Sequence, residues 1–333
     1  MYSSTLYKDK EILAPMIGQS RNSAYAFTCI AIWGGYYLVY SPEIVDKRII
    51  TSIRIFNESN GLVTYLDPQS KSTCFQTHIS EKPKLIFQIG TADPELALQA
   101  ALTVKQDVTG IDVNCGCPKK FSIQGGMGAA LLSKPDLLKK ILTNLVQNSG
   151  LPVTCKIRIL ETKEKTIELC KMIESTGVRA IAVHCRLRDE RPRNPGHWDI
   201  FRDLVENISI PIIANGDIFT RADITRLKEI SSNSVMFARG AKNNVSVFCK
   251  DGKLLPLRKV VILYVKKAIE FNNHFSNTKY TIMQMYADNI KDSEYDAVIK
   301  AKSYEAFCRI FGIELEQQHT TNPIYEDDNN IEG

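Results

Sequence analysis

Eight strand-like apolar runs recur along this chain, at residues 12–17, 36–40, 85–89, 110–113, 153–159, 180–183, 211–214 and 234–237. Most are followed by a helix-like segment, most clearly at 93–105, 134–147, 163–175 and 221–230. Asp93-Pro94-Glu95 opens the first of these with an N-cap residue followed by proline at the first helical position. Strands that read as near-continuous Val/Ile/Leu, alternating with amphipathic helices, imply a parallel sheet covered by helices on its outer face. Eight such units in about 240 residues match a (β/α)8 barrel, the TIM-barrel architecture. A doubly wound open sheet is the alternative, but no G-x-G-x-x-G follows the first run. After about residue 250 the pattern changes: 254–270, 278–290 and 295–311 read as helices with no strands between. The expected organisation is a barrel over 1–250, a small C-terminal helical domain over 251–312, and a solvated acidic tail over 313–333.

A barrel keeps its site at the C-terminal ends of its strands. Each run here delivers a polar or conformationally special residue to that end. In order these are Pro15-Met16, Glu43, Gln88, Asn114 with Cys117, Lys156 with Arg158, His184, Asn215-Gly216-Asp217 and Arg239-Gly240. Lys156 carries the most information. It lies inside Val153-Thr154-Cys155-Lys156-Ile157-Arg158-Ile159 and points into the barrel if it alternates with outward residues. A lysine is seldom enclosed without an anion or a ligand. The glycine turns after the last two runs suit a phosphate group. The set therefore points to a polar, anionic ligand in the mouth. The stretch Asp112-Val113-Asn114-Cys115-Gly116-Cys117-Pro118, followed by Gly125-Gly126-Met127-Gly128, ends a buried strand in a tight loop with two thiols. Taken singly, such cysteines are also compatible with inert, buried structural roles.

Composition narrows the class. With 44% hydrophobic residues and a mean hydropathy of −0.15, the chain reads as an ordinary globular protein. Nine scattered cysteines lack a framework spacing and read as reduced thiols of a cytoplasmic protein. Cys115 and Cys117 are too close for a zinc pair and no second Cys/His pair answers them, so no metal is expected. No secretory signal is visible in 1–10. The longest uncharged run, 22–42, is interrupted by Gly34-Gly35 and reads as buried core, not a membrane span. Net charge is +5, but residues 313–333 hold six acidic and no Lys or Arg residues. The rest carries 42 basic against 31 acidic side chains, a net of +11. Arg186, Arg188, Arg191 and Arg193 fall within eight residues. Such a body suits a polyanionic partner, although an arginine cluster is also compatible with a solvated loop.

With these residues in hand, the chain resembles the tRNA-dihydrouridine synthases, flavoenzymes that reduce a uridine in tRNA. The resemblance runs from about residue 11 to 312. It is carried by Leu13-Ala14-Pro15-Met16, Phe87-Gln88-Ile89-Gly90, Asn114-Cys115-Gly116-Cys117-Pro118, the run Gly125 to Leu132, Cys155-Lys156-Ile157-Arg158, Ala214-Asn215-Gly216-Asp217 and Ala238-Arg239-Gly240. Lys119-Lys120-Phe121-Ser122 and Asn277-Thr278-Lys279-Tyr280 resemble the eukaryotic branch acting at position 20 of the D-loop. The resemblance implies an FMN site. Ala14, Pro15, Met16 and Gln88 match positions along the isoalloxazine. Lys156 and His184 match groups near its polar edge and ribityl chain. Asn215, Gly216, Asp217, Ala238 and Arg239 match the phosphate end. Cys117 matches the catalytic acid; Asn114, Arg158 and Arg186 match substrate-side positions.

The implied chemistry has two halves: NADPH or NADH reduces FMN, then hydride passes to C6 of the uracil while Cys117 protonates C5. An ordinary thiol is mostly protonated at neutral pH, which suits a proton donor. The target base must be flipped out of folded tRNA. The implied partners are tRNA and the nicotinamide reductant, with no membrane and no metal; oligomeric state is not read from the sequence. The chain departs from the family pattern at Asn22-Ser23-Ala24-Tyr25, Pro42-Glu43, His184-Cys185-Arg186 and Asn243-Asn244. An FMN barrel acting on a small pyrimidine is the alternative function, and a non-catalytic tRNA-binding protein on the same scaffold is a third.

Overall fold

The computed structural model describes residues 6–16, 37–230, 234–249, 253–287 and 293–314. The departure at Asn22-Ser23-Ala24-Tyr25, the Gly34-Gly35 pair and nearly all of the acidic tail lie outside the described residues.

Eight parallel strands close into a barrel. They are β1 (Glu11–Leu13), β2 (Leu38–Tyr40), β3 (Leu85–Gly90), β4 (Gly110–Cys115), β5 (Val153–Arg158), β6 (Ala180–His184), β7 (Ile212–Asn215) and β8 (Ser234–Phe237). Each pairs with its sequence neighbour, β8 pairs back to β1, and β2 pairs with β3. All eight expected runs are barrel strands, with ends displaced by a few residues. The four expected barrel helices form at Pro94–Val104, Pro135–Asn148, Lys163–Glu174 and Arg221–Glu229. Three of their starts are set by side-chain caps, and the fourth, Pro135–Asn148, by proline at its first position. Asp93 accepts from the amides of Glu95 and Leu96, and Thr220 with Asp223 makes a reciprocal capping box.

Strand pleating sorts the residues into two cores. Outward side chains such as Val113, Cys115, Cys155, Ile157 and Val183 pack under the helices. Inward ones such as Ile12, Leu38, Ile86, Ala182, Ile213 and Met236 fill the barrel floor, joined by Tyr7 and Tyr40. Lys156 stands between Cys155 and Ile157 and so faces inward, as its position in the run requires.

One part of the alternation fails. Only a five-residue helix, Asp46–Ile50, follows β2. Next comes a three-stranded antiparallel sheet, Ile53–Asn57, Leu62–Leu66 and Thr73–His78. It clasps the flank of the barrel. Arg54 donates through Nε and Nη2 to Asp107 at 2.7 and 2.8 Å, and the Tyr65 hydroxyl donates to the same carboxylate at 2.5 Å. Phe75 meets Phe87 of β3 edge-on, centroids 4.9 Å apart.

Beyond the barrel come four helices, Leu257–Glu270, Phe275–Met285, Ser293–Lys300 and Tyr304–Phe311. The expected single helix over 295–311 is therefore two. Ser303 caps the second by accepting from the Ala306 amide. The Lys279 ammonium donates to the carbonyls of Ile299 and Ala301 at 2.6 and 2.8 Å, satisfying the exposed end of the first. Among the described residues no helix is long and apolar enough to cross a membrane.

Candidate active site

A cavity of about 640 Å³ opens at the C-terminal mouth of the barrel. Pro15, Met16, Gln88, Asn114, Cys117 and Lys156 line it, and so do Arg158, His184, Ala238 and Arg239. A small recess of about 30 Å³ adjoins it, walled by His184, Asn215, Gly216, Asp217, Ala238 and Arg239. The strand ends thus bring most of the expected site residues to one place. Ala14, just after β1, is an exception, because it faces into the barrel core below the mouth.

The thiol loop is held from three sides. The Asn114 side-chain oxygen accepts from the amides of Gly116 and Cys117 at 3.0 and 3.1 Å. Arg158 donates from Nε to the Gly116 carbonyl at 2.9 Å, and from Nη1 to that of Leu187 at 2.9 Å. Ala129 donates to the Cys117 carbonyl at 3.0 Å. At Gly128, where φ is +59°, a Cβ would sit 2.6 Å from that carbonyl, so only glycine allows the Gly125–Gly128 turn to close on the loop. The end of β4 separates the two cysteines: Cys115 is its last residue, and Cys117 lies in the loop that turns away after it. Cys115 is fully buried in the outer core, whereas Cys117 is 8% exposed on the cavity wall.

Below the mouth, Asp112 is fully buried and accepts from Gln88 Nε2 at 2.8 Å and Thr154 Oγ1 at 2.7 Å. Burial pushes its carboxyl up to about 6, against the pull of those bonds and of Lys156. Burial, then the charge of Arg158, brings the Lys156 ammonium down to about 8. No carboxylate makes an ion pair with Lys156 among the described residues. Burial and the surrounding cations hold His184 neutral, down to about 2, and its buried Nδ1 has no hydrogen-bond partner. Burial also raises the Glu43 carboxyl, whose oxygens sit beside Asn114 without a hydrogen bond of good geometry. An unpaired lysine and an orphaned imidazole nitrogen on one cavity wall fit a ligand that supplies acceptors and negative charge.

At the recess, Asp217 pairs with Arg186 at 2.5 Å and with Arg239 at 2.7 Å. Gly216 has φ +119°, and a Cβ there would strike the Cys185 sulfur at 2.5 Å. Asn215 spends its amide on the Met236 carbonyl at 2.8 Å, tying β7 to β8. Arg239 keeps an open side and lies over the Phe219 ring, 5.0 Å from its centroid.

Arg186 corrects the sequence reading. Expected beside substrate, it is 2% exposed and bound to Asp217 and to the Asn194 carbonyl at 2.7 Å. It is absent from the cavity lining: its charge is paired with Asp217 after β7, and its Nε with the loop after β6. Arg191, by contrast, does line the cavity. Sequence reasoning named neither Lys242 nor Gln284 of the lining, and assigned no site role to Tyr280. The only available signal was the motif around Tyr280, since no local pattern ties a distal helix to a barrel rim. Among the described residues no group of three or more His, Cys, Asp or Glu side chains gathers to hold a metal.

Fold and cavity together define a closed (β/α)8 barrel whose mouth sets a thiol beside cations prepared for a polar, anionic ligand. The chain belongs to the dihydrouridine synthase (Dus) family, whose model matches residues 13–309. It is 38% identical over 325 residues to tRNA-dihydrouridine(20) synthase (NAD(P)+) of Schizosaccharomyces pombe, covering 94% of this chain and 67% of that protein. It is 36% identical over 326 residues to the protein of the same name from Saccharomyces cerevisiae, covering 90% and 83%. A solved structure of TcOYE with pHBA shares the fold, with a TM-score of 0.51 at 11% identity over 79% of this chain and 94% of that one.

Proposed function

We propose that this protein reduces a uridine at position 20 of the tRNA D-loop to 5,6-dihydrouridine, with FMN in the barrel mouth and NADPH or NADH as reductant. The observation that carries this reading is a cavity-lining thiol, Cys117, sharing the mouth with the unpaired Lys156 and the orphaned His184. Lys156 and His184 would hold the polar edge and ribityl chain of the flavin, Gln88 its ring, and Arg239 with the Gly216 turn its phosphate. FMN, when bound, supplies the hydride that C6 of the uracil receives.

The chain's own groups do the rest. Cys117 gives its proton to C5, and the loop bonds from Asn114 and Arg158 hold that sulfur in position. Arg158 and Arg191 on the wall offer cations to the phosphates of a flipped-out nucleotide. The four C-terminal helices and the basic body form the remaining tRNA-binding surface, and described cysteines that form no disulfide suit a cytoplasmic enzyme.

The test uses the full chain reconstituted with FMN, NADPH, and an unmodified tRNA transcript. Dihydrouridine at position 20, with NADPH oxidised in step, supports the reading. Equal turnover of free uridine, or protein that takes up no FMN, overturns it.

A further inference from the structure

Tyr280 stands apart from the other tyrosines of the described chain. Two tyrosines of the C-terminal helices commit their hydroxyls: Tyr286 donates to Glu294 and Tyr304 to the Asn273 carbonyl. Tyr280 is 41% exposed, and its ring and hydroxyl have no hydrogen-bond or ring partner among the described residues. Apart from the His184 imidazole on the barrel wall, it is the one aromatic side chain among the described residues that line the cavity. The barrel does not contribute it. It comes from the helix Phe275–Met285, whose opposite face buries Thr278, Thr281, Ile282 and Met285.

That helix is firmly seated. The Thr278 hydroxyl bonds that of Tyr304 at 2.6 Å, and Lys279 anchors it to the next helix. One turn beyond Tyr280, Gln284 accepts from Lys242 of the barrel rim at 3.4 Å. Residues four apart share a helix face, so this contact aims Tyr280 at the mouth. A flat, exposed aromatic on a fixed element beside a cationic wall is the arrangement that receives a nucleobase.

We propose that Tyr280 is a stacking surface for the base adjacent to the uridine that enters the mouth, holding the strand in its flipped-out form. The proposal rests on the tRNA reading above. Stacking needs the ring and not the hydroxyl.

The experiment compares FMN-loaded wild type, Tyr280→Phe and Tyr280→Ala on one tRNA transcript. It also uses two transcripts with an abasic nucleotide on either side of the target. Tyr280→Phe should match wild type within about twofold. Tyr280→Ala should raise the KM for tRNA about tenfold or more, as loss of a stacked base does. Flavin reduction by NADPH and the salt dependence of binding should not change, because no charge is removed. One abasic transcript should show a similar loss with wild type and little further loss with Tyr280→Ala, the non-additivity of a direct contact. Tyr280→Ala within twofold of wild type, Tyr280→Phe as poor as Tyr280→Ala, or full additivity with both abasic transcripts would overturn the proposal. If wild type leaves the tRNA unmodified, the functional reading itself has failed.

Discussion

The two ends of the barrel are made from the same strands by the same inward-facing rule, yet they are chemically opposite. At the floor, Ile12, Leu38, Ile86, Ala180, Ile213 and Met236 interlock with no charge among them. Two or four residues further along, the same faces of β3, β6 and β7 present Gln88, His184 and Asn215, joined by Asn114, Lys156 and Arg158 from the inward faces of β4 and β5. The floor gains stability by removing apolar surface from water. The mouth gives some of that up, keeping an unpaired lysine, an orphaned imidazole nitrogen and an unbonded carboxylate at Glu43. Asp112 marks the seam, a buried carboxyl bonded to the mouth residue Gln88 and to Thr154, whose hydroxyl meets Tyr40 of the floor. The lesson is that one scaffold separates folding from chemistry by depth, and each end can be tested without the other.

The largest effect is expected at the thiol. Cys117→Ala should cut uridine reduction by about 10²–10⁴-fold while flavin reduction by NADPH stays intact, measured by single-turnover kinetics of each half-reaction. Cys115→Ala, two residues away but in the outer core, should reduce stability and spare turnover. If the two variants lose activity equally, depth does not separate the roles.

At the floor, Ile213→Ala should cost about 2–5 kcal/mol in urea unfolding, because it empties a fully buried site. Turnover of the folded fraction should hold. Lys156→Met at the mouth should do the converse: FMN binding weakens about tenfold, read by fluorescence titration, while the unfolding midpoint holds or rises. A mouth variant that unfolds as readily as the floor variant would break the comparison.

A smaller effect is expected from pH. His184 is held neutral to about pH 2 when folded, whereas an exposed histidine takes up a proton near 6.5. Between those values the unfolded chain binds the extra proton, so stability falls as pH drops below about 6.5. The slope for this one group is at most about 1.4 kcal/mol per pH unit. His184→Asn should flatten the change in unfolding free energy between pH 7 and 5. An unchanged slope would mean that His184 is protonated in the folded protein.

The smallest effect is expected on the loop after β6, where Arg188 and Arg193 are exposed. Replacing both with alanine should reduce the salt slope of tRNA binding by about one per contacting arginine, with modest change in KM. Arg186→Ala should instead loosen the loop, since it leaves the Asp217 carboxylate with one cation fewer. That difference would show in proteolysis of the loop and not in the salt slope.

Much of this was legible in the chain itself. The eight barrel strands were readable because strands buried on both faces must be apolar throughout, so a polar residue at the end of such a run announces itself. The inward direction of Lys156 followed from pleat parity alone, and so did the presence of a polar ring at the mouth. Tertiary structure decided what depends on partners distant in sequence. The antiparallel sheet after β2 replaces a helix because Arg54 and Tyr65 find Asp107, some forty or more residues away. Arg186 is withdrawn from the mouth because Asp217 reaches it across the β6–β7 rim. Tyr280 joins the mouth because the C-terminal helices fold back onto Lys242. Strand periodicity is a local property written residue by residue, whereas the pairing of charges around a closed rim exists only once the barrel has closed.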